Sequence, residues 1–295
     1  MDMSRRTLFE NETLQIGLFE ARPASDACGD VERQSLNAMA LPLSGVFSKH
    51  EAPGRYVIGT PSHAVFFAAD TPYRVGFPGG IGDRALTFRF SDALAPEQLE
   101  ASRSHGRLAS QGLLPANAIL LRNWLWRRLD VSETDEFEIE TLGLDLLNIS
   151  LRTMRTDNLV PRRSALVRRM RAVERVKEAV ALAPADDWNV TRLAKIANMS
   201  DYHFCHVFRQ MVGTSVYDYV LHERLAHALD AVLERGEDLT TIALDAGFAS
   251  HSHFTARFRN FFGCTPAALR RIATADRIAE IRKIMTARQS QPALD

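Results

Sequence analysis

The sequence predicts an α+β chain in two parts: a small antiparallel barrel or sandwich followed by two helices, and an all-α half that holds two helix-turn-helix motifs. Three observations carry this. Apolar residues alternate with period two in the first third of the chain. From Ala116 onward they recur at three and four residues. The C-terminal half also repeats itself: Ser200, Phe204, Phe208, Arg209 and Gly213 stand against Ser250, Phe254, Phe258, Arg259 and Gly263.

The β part is residues 1–112. Leu14, Ile16 and Leu18 alternate with polar or small neighbours, as do Leu86, Phe88 and Phe90, and residues 64–68 (AVFFA) form a short continuous run. Turn formers separate them at 52–54 (APG), 60–62 (TPS), 70–72 (DTP) and 78–80 (PGG). Short strands at this spacing build small antiparallel barrels or sandwiches. Such a barrel either holds a ligand in its mouth or is filled by its own side chains, and both readings stay open here. A metal site would need convergent His and carboxylate groups; His50, His63 and His105 include no His-x-His pair, so none is expected.

Residues 113–155 read as a helical dimerisation segment. Pro115 opens a helix over Ala116–Leu129, with Ile119, Leu120, Trp124 and Leu125 at helical spacing. A second helix is expected over 133–154. Glu133, Asp135, Glu136 and Glu138 lie in its first turns and Arg152 and Arg155 at its end, the signs that its dipole favours. Ile139, Leu142, Leu146 and Ile149 are spaced 3-4-3, as in a coiled-coil seam, and form the candidate homodimer contact. The alternative is that this stripe packs on the chain's own barrel. Residues 156–166, with Pro161 and little apolar content, read as a linker, 167–273 as the helix-turn-helix domain, and 274–295 as a helical tail.

The two copies of the repeat have the physics of helix-turn-helix units. The first helix of each offers small and apolar residues (Leu193, Ala194, Ala197; Ile242, Ala243, Ala246) that let a second helix cross closely. The turn begins at Asn198 or Gly247, residue types that tolerate a left-handed backbone. Met199 and Phe248 follow as apolar plugs, and Ser200 and Ser250 are placed to cap the second helix. In that helix Phe204, Val207, Phe208 and Met211 share one face, as do Phe254, Phe258 and Phe261. The opposite faces carry Tyr202, Cys205, His206 and Arg209, and Ser252, Thr255, Ala256 and Arg259, with His251 and His253 at the helix start. Neither face has an acid, as a helix read by DNA requires. A helix from Thr214 or Ser215 to Arg235 joins the copies; twenty-one residues span ~31 Å, close to a DNA turn of ~34–36 Å. Thr265 and Pro266 open a closing helix.

These residues resemble the AraC/XylS family of bacterial transcription regulators. The resemblance covers 167–271 and rests mainly on the second copy: Ile242, Ala243, Gly247, Phe248, Ser252, Phe254, Phe258, Arg259, Phe262, Gly263, Thr265 and Pro266. It implies an N-terminal sensory or dimerising domain, often cupin-like, which the barrel-plus-two-helices layout fits. It also implies base reading by Tyr202, Cys205 and His206 in the first copy and by His251, Ser252, His253, Thr255 and Ala256 in the second. The family commonly has Arg at the positions of His206 and Ala256. Arg257, beside Ala256, offers a replacement guanidinium or a phosphate contact. Arg209 and Arg259, two turns beyond their caps, are placed for phosphates.

Composition agrees. The formal charge is zero overall, yet residues 1–159 carry 16 Lys and Arg against 21 Asp and Glu, and residues 160–295 carry 20 against 15, so the basic excess lies in the half with the repeat. No apolar run reaches the ~20 residues of a membrane span. The N-terminus has Arg5 and Arg6 without an apolar stretch, and three cysteines (Cys28, Cys205, Cys264) make no disulfide framework, so a cytoplasmic protein is expected. His203, Cys205 and His206 have ligand character, but they flank the outward helix face with no fourth ligand near in sequence. No nucleophile-base pair or phosphate loop points to an enzyme or cofactor. The expected function is a sequence-specific DNA-binding regulator controlled by a small molecule in the barrel. Its expected partners are double-stranded DNA, a second copy, RNA polymerase and that effector. The alternatives are a barrel that only dimerises, or a barrel enzyme fused to a DNA-binding module; the latter would need reactive cysteines, and the first domain has only Cys28.

Overall fold

Alternation builds the first layer. The computed structural model describes residues 2–94, 107–130, 135–154, 156–157, 164–234 and 236–274. In it β1 (Asp2–Glu10), β2 (Leu14–Arg22), β3 (Asn37–Gly45), β6 (His63–Phe67), β8 (Asp83–Phe90) and β10 (Gln111–Leu113) form a six-stranded sheet in the order β1-β2-β8-β3-β6-β10. The two alternating stretches lie side by side, with Ile16 opposite Phe88. A second sheet, β5-β4-β7, comes from β4 (Phe47–Ala52), β5 (Arg55–Gly59) and β7 (Arg74–Gly76). Two-residue strands β9 (Arg107–Leu108) and β11 (Thr156–Asp157) pair with each other, and β11 lies inside the stretch expected to begin the linker.

Among the described residues these strands do not close into one barrel. The chain changes sheet at Gly45, whose φ of +78° would be strained for any side chain; a Cβ there would lie 2.2 Å from the Gly82 carbonyl oxygen. The two sheets instead share an apolar layer in which Ala38, Ala40 and Phe67 of the large sheet meet Phe47, Val57 and Tyr73. The other face of the large sheet, with Leu14, Ile16, Met39, Leu41, Leu86, Phe88 and Phe90, is covered by helices.

Those helices are α1 (Ala116–Leu129) and α2 (Glu136–Thr153). Asp135 caps α2 by accepting the Phe137 N–H at 3.1 Å; the residues expected to start this helix, 133 and 134, lie outside the described ones. The expected dimer seam is corrected here. Ile139, Leu142 and Leu146 are 4%, 2% and 0% exposed and belong to the chain's own core, and Ile149 packs against it half-buried. Gly143, also on this face, lets the helix approach so closely that a Cβ would sit 2.7 Å from Cδ1 of Ile16. The 3-4-3 stripe is therefore consumed by the sheet beneath it.

Among the described residues of the C-terminal half every element is a helix: α3 (Ser164–Leu182), α4 (Val190–Ala197), α5 (Asp201–Val212), α6 (Val216–Leu233), α7 (Leu239–Asp245), α8 (His251–Phe262) and α9 (Pro266–Thr274). Helix α3 begins three residues before the expected domain boundary, and residues 275–295 of the expected tail lie outside the described ones. Helices α3, α4, α5 and the start of α6 enclose one core around Val176, Phe204 and Phe208. The rest of α6, with α7, α8 and α9, shares a continuous core with α1 and the large sheet.

Buried polar groups fasten the two halves. On α3, Glu174 accepts the Ile58 N–H of β5 at 2.8 Å and Gln111 Nε2 of β10 at 2.7 Å, and pairs with Lys177 at 3.1 Å. On α6, Glu223 accepts Thr60 Oγ1 at 2.9 Å and lies 3.6 Å from Nδ1 of His63. Burial holds His63 well below its ordinary pKa, with Lys177 and His222 adding to the effect, so the pair is a neutral imidazole beside a buried carboxyl. Nearer the surface, Arg84 pairs with Asp230 at 3.1 Å.

Candidate nucleic-acid interface

Each copy of the repeat becomes a helix pair: α4 with α5, and α7 with α8. The turns are set by local backbone chemistry. Asn198 leaves α4 in the left-handed conformation, φ 56° and ψ 49°. Gly247 has φ +78°, and a Cβ on it would lie 2.7 Å from Cα and O of Ala185, so conformation and space both require glycine. Ser250 caps α8 by accepting the His253 N–H at 3.2 Å. Ser200 has the extended backbone of a cap but makes no side-chain capping bond. Its neighbour Asp201 instead accepts Thr191 Oγ1 at 2.6 Å, tying α5 to α4.

The inward faces fix how the outward faces are presented. Phe204, Val207 and Phe208 are fully buried, with Met211 at the margin. In the second pair a run of rings fills the core: Phe248–Phe254 at 5.1 Å, Phe254–Phe258 at 5.4 Å and Phe258–Phe262 at 4.5 Å between centroids. Phe261, expected to face inward, is only half-buried and meets the His222 ring at 4.6 Å; Phe262 takes the deep position. Helix periodicity admits both, since i+7 and i+8 flank the same stripe.

Of the expected contact residues, Tyr202 is 88% exposed and His206 and Arg209 lie open beside it, while Cys205 is half-buried. On α8, His251, Ser252, Ala256 and Arg259 are exposed. His253, Thr255 and Arg257 are half-buried and partly engaged within the chain. His253 Nε2 accepts Arg257 Nε at 3.4 Å, and the Arg257 guanidinium lies 5.7 Å from the Tyr217 ring centre. Thr255 Oγ1 and His251 Nε2 are 3.5 Å apart. The two open faces thus offer hydroxyl, imidazole and guanidinium groups, the donors and acceptors that match base edges and phosphates.

The connecting helix α6 holds the pairs apart. Ser215 caps it by accepting the Asp218 N–H at 3.1 Å. It has 18 residues rather than the expected 21, which makes it ~27 Å long. Its buried His222 and Glu223, and Glu174 and Lys177 on α3, were not singled out for any role from the sequence. A signal was present. Lys177 lies four residues after Val173 and three before Val180, on an apolar stripe where an unpaired charge would be costly.

The metal-like residues do not converge. His50 Nε2 bonds Ser48 Oγ at 2.9 Å, His63 Nδ1 bonds Thr60 Oγ1 at 2.8 Å, and His105 lies outside the described residues. Among the described residues no group of three or more His, Cys, Asp or Glu side chains could hold a metal ion, and no helix is long and apolar enough to cross a membrane.

A helix-turn-helix domain family matches residues 193–272, which begin in α4 and end in α9. The chain is similar to an uncharacterized HTH-type transcriptional regulator of Haemophilus influenzae, 30% identical over 93 residues, 32% of this chain and 31% of the relative. It is similar to the virulence regulon transcriptional activator VirF of Yersinia enterocolitica, 31% identical over 106 residues, 35% of this chain and 39% of the relative. Among solved structures, the DNA-binding domain of AdpA in complex with a target DNA is 27% identical, with a TM-score of 0.33, covering 35% of this chain and 96% of that one. The chain thus spans about a third of the length of the curated relatives it matches. The matched stretch coincides with the two helix pairs and the residues that shape them, so the chain carries a helix-turn-helix domain similar to those of HTH-type transcriptional regulators.

Proposed function

We propose that the chain is a sequence-specific DNA-binding transcription regulator whose two helix pairs act as a tandem helix-turn-helix reader, and whose N-terminal domain senses a small molecule. The observation that carries the reading is the repeated presentation of α5 and α8. Each is pinned by a phenylalanine core; α8 has no acidic residue, the single acid of α5, Asp201, is engaged by Thr191 of α4, and one continuous helix joins the two pairs. Tyr202, His206, His251 and Ser252 lie near the helix starts and read bases; Arg209 and Arg259 lie farther along and hold phosphates. The regulators with similar sequence support the same reading, and a non-enzymatic role with it.

The test is a footprint of the full chain on its operator. Two protected major-groove segments about 10 bp apart per protomer are expected. The substitutions His251→Ala and Ser252→Ala together should erase one segment and leave the other. A single segment that these substitutions do not alter would overturn tandem reading. A second copy, an effector and RNA polymerase are further partners in this proposal.

A further inference from the structure

Between the two sheets lies a cavity of about 270 Å³. Its floor comes from alternate positions on three neighbouring strands, which the pleat turns to one face. Gly17 on β2 and Ala40 on β3 both stand opposite Thr87 on β8, and Ala38 and Ala85 extend the same small-residue surface. Phe19, Phe47, Phe67 and Tyr73 line the space above it. At the end where Ala21, Asp83 and Gly45 are in register, Asp83 is a lining residue, and the pleat puts its side chain on the same face of β8 as Ala85 and Thr87. Asp83 is 7% exposed, and its Oδ1 has no hydrogen-bond partner among the described residues. A buried carboxyl oxygen without a partner is costly, and folded proteins keep few of them.

We propose that this cavity binds a compact organic amine, with its ammonium group against Asp83 and its apolar or aromatic body over Gly17, Ala40 and Ala85. The proposal rests on the reading of the N-terminal domain as a sensor and names the ligand class for it. A neutral donor would satisfy one lone pair but leave a buried charge. An anion would be repelled. A cation does both jobs, and aromatic walls favour it further. The other charged groups around the cavity are Arg5, Arg6, Glu32, Arg33 and Arg89. Arg5 is already paired with Glu32 at 2.9 Å, and Arg5, Arg6, Arg33 and Arg89 are exposed, where solvent and salt screen them. Burial alone pushes the Asp83 carboxyl up to about 7, so an ammonium ion entering near neutral pH displaces a proton.

The probes are benzylamine, benzyl alcohol and benzoate, titrated calorimetrically into the full chain. Benzylamine is expected to bind at least about tenfold tighter than the other two, to tighten from pH 6 to pH 8, and to release protons at pH 7. Asp83→Asn should cut its affinity at least about tenfold while the helical content is retained. Should Asp83→Asn not fold, Ala40→Leu fills the cavity without touching the carboxyl and should abolish binding. Benzylamine that binds Asp83→Asn as it binds the wild type, or benzoate that binds more tightly, overturns the proposal; so does no binding of the amine at millimolar concentration. Alcohol or acid binding that Ala40→Leu removes overturns only the amine class and leaves a sensor. Operator occupancy in cells that Ala40→Leu leaves unchanged in every growth condition overturns the sensor reading itself.

Discussion

Replacing Glu174 by Ala should unfasten the two halves of the molecule. Three groups depend on this carboxylate: the Ile58 N–H at 2.8 Å, Gln111 Nε2 at 2.7 Å and the Lys177 ammonium at 3.1 Å. Lys177 is 1% exposed, and burial lowers its pKa while Glu174 works against that lowering. Removing the carboxylate leaves a buried cation without its counter-ion, typically a loss of ~3–5 kcal/mol, and an orphaned buried N–H worth ~1–3 kcal/mol. These terms are not additive, because opening the interface returns both groups to water. The loss is therefore capped by the docking free energy, and ~4 kcal/mol is a fair expectation. Urea unfolding of the full chain measures it, and amide exchange at residues 57–59 and 111–113 shows whether the chain opens there first. Glu174→Met with Lys177→Met removes both charges together and should recover most of the loss. A single-mutant loss below ~1 kcal/mol, or a double mutant no better than the single, would refute the reasoning.

Other outcomes follow from the same structure. Arg209→Ala and Arg259→Ala should weaken operator and random DNA alike and reduce the salt slope by about one unit each, whereas His206→Ala should cost ~1–3 kcal/mol on the operator alone. A changed sequence preference in Arg209→Ala, or equal loss on all DNA in His206→Ala, would reverse those roles. Gly247→Ala forces a Cβ to within 2.7 Å of the Ala185 backbone at a φ of +78°, so a loss of at least ~1–3 kcal/mol should appear in thermal unfolding; a neutral result would mean that the turn can relax. Burial lowers His222 to about 4 from a free value of 6.5, so it must be neutral in the fold. The unfolded chain binds the extra proton first. Stability should therefore be full above pH 6.5 and fall as the pH drops toward 4, by up to ~3 kcal/mol from this residue. His222→Phe should flatten that part of the profile, and an unchanged slope would show that other groups, His63 among them, carry it.

The helical half could be read closely because its constraints are local. Turn, cap and inward face lie within a few residues of one another. Asn198 and Ser250 do their work through nearby backbone, so the string of residues contains most of the answer, while Gly247 adds to its local φ of +78° a close approach to the distant Ala185. Where neighbours along the helix cannot decide, as between Phe261 and Phe262, tertiary packing chose. The strands behaved differently. Alternation marks which residues share a face, but the order β1-β2-β8-β3-β6-β10 depends on pairings between distant segments, and nothing in a period of two encodes a partner. The small residues of the cavity floor are ordinary until register aligns Gly17, Thr87 and Ala40. The stripe on α2 shows the same gap: spacing reports that Ile139, Leu142 and Leu146 need cover, not whether a second chain or the chain's own sheet supplies it.

A repeat in sequence also implies two like helix pairs without implying equal attachment. Helices α5 and α8 occupy matching places in the repeat, yet α5 is rooted in a core made with α3 and α4, whereas the core beneath α8 runs on through α1 into the large sheet. Helix α6 belongs to both, with Val216, Tyr219 and Val220 in the first core and Leu225, Leu229 and Val232 in the second. The polar bolts are divided likewise: Glu174 holds α3 to β5 and β10, and Glu223 holds the middle of α6 to Thr60. A displacement of the large sheet therefore reaches α8 through continuous close packing. It reaches α5 through α3 and α6, at contacts where the buried Glu174 and Glu223 must keep their hydrogen bonds. Any influence of the N-terminal domain on DNA reading must act through these two unequal routes. Packed apolar cores tolerate small repacking at modest cost, but undocking strips the buried Glu174 carboxylate of the Ile58 N–H and the Gln111 side chain, so the Glu174 contact is where docking is most nearly all-or-none.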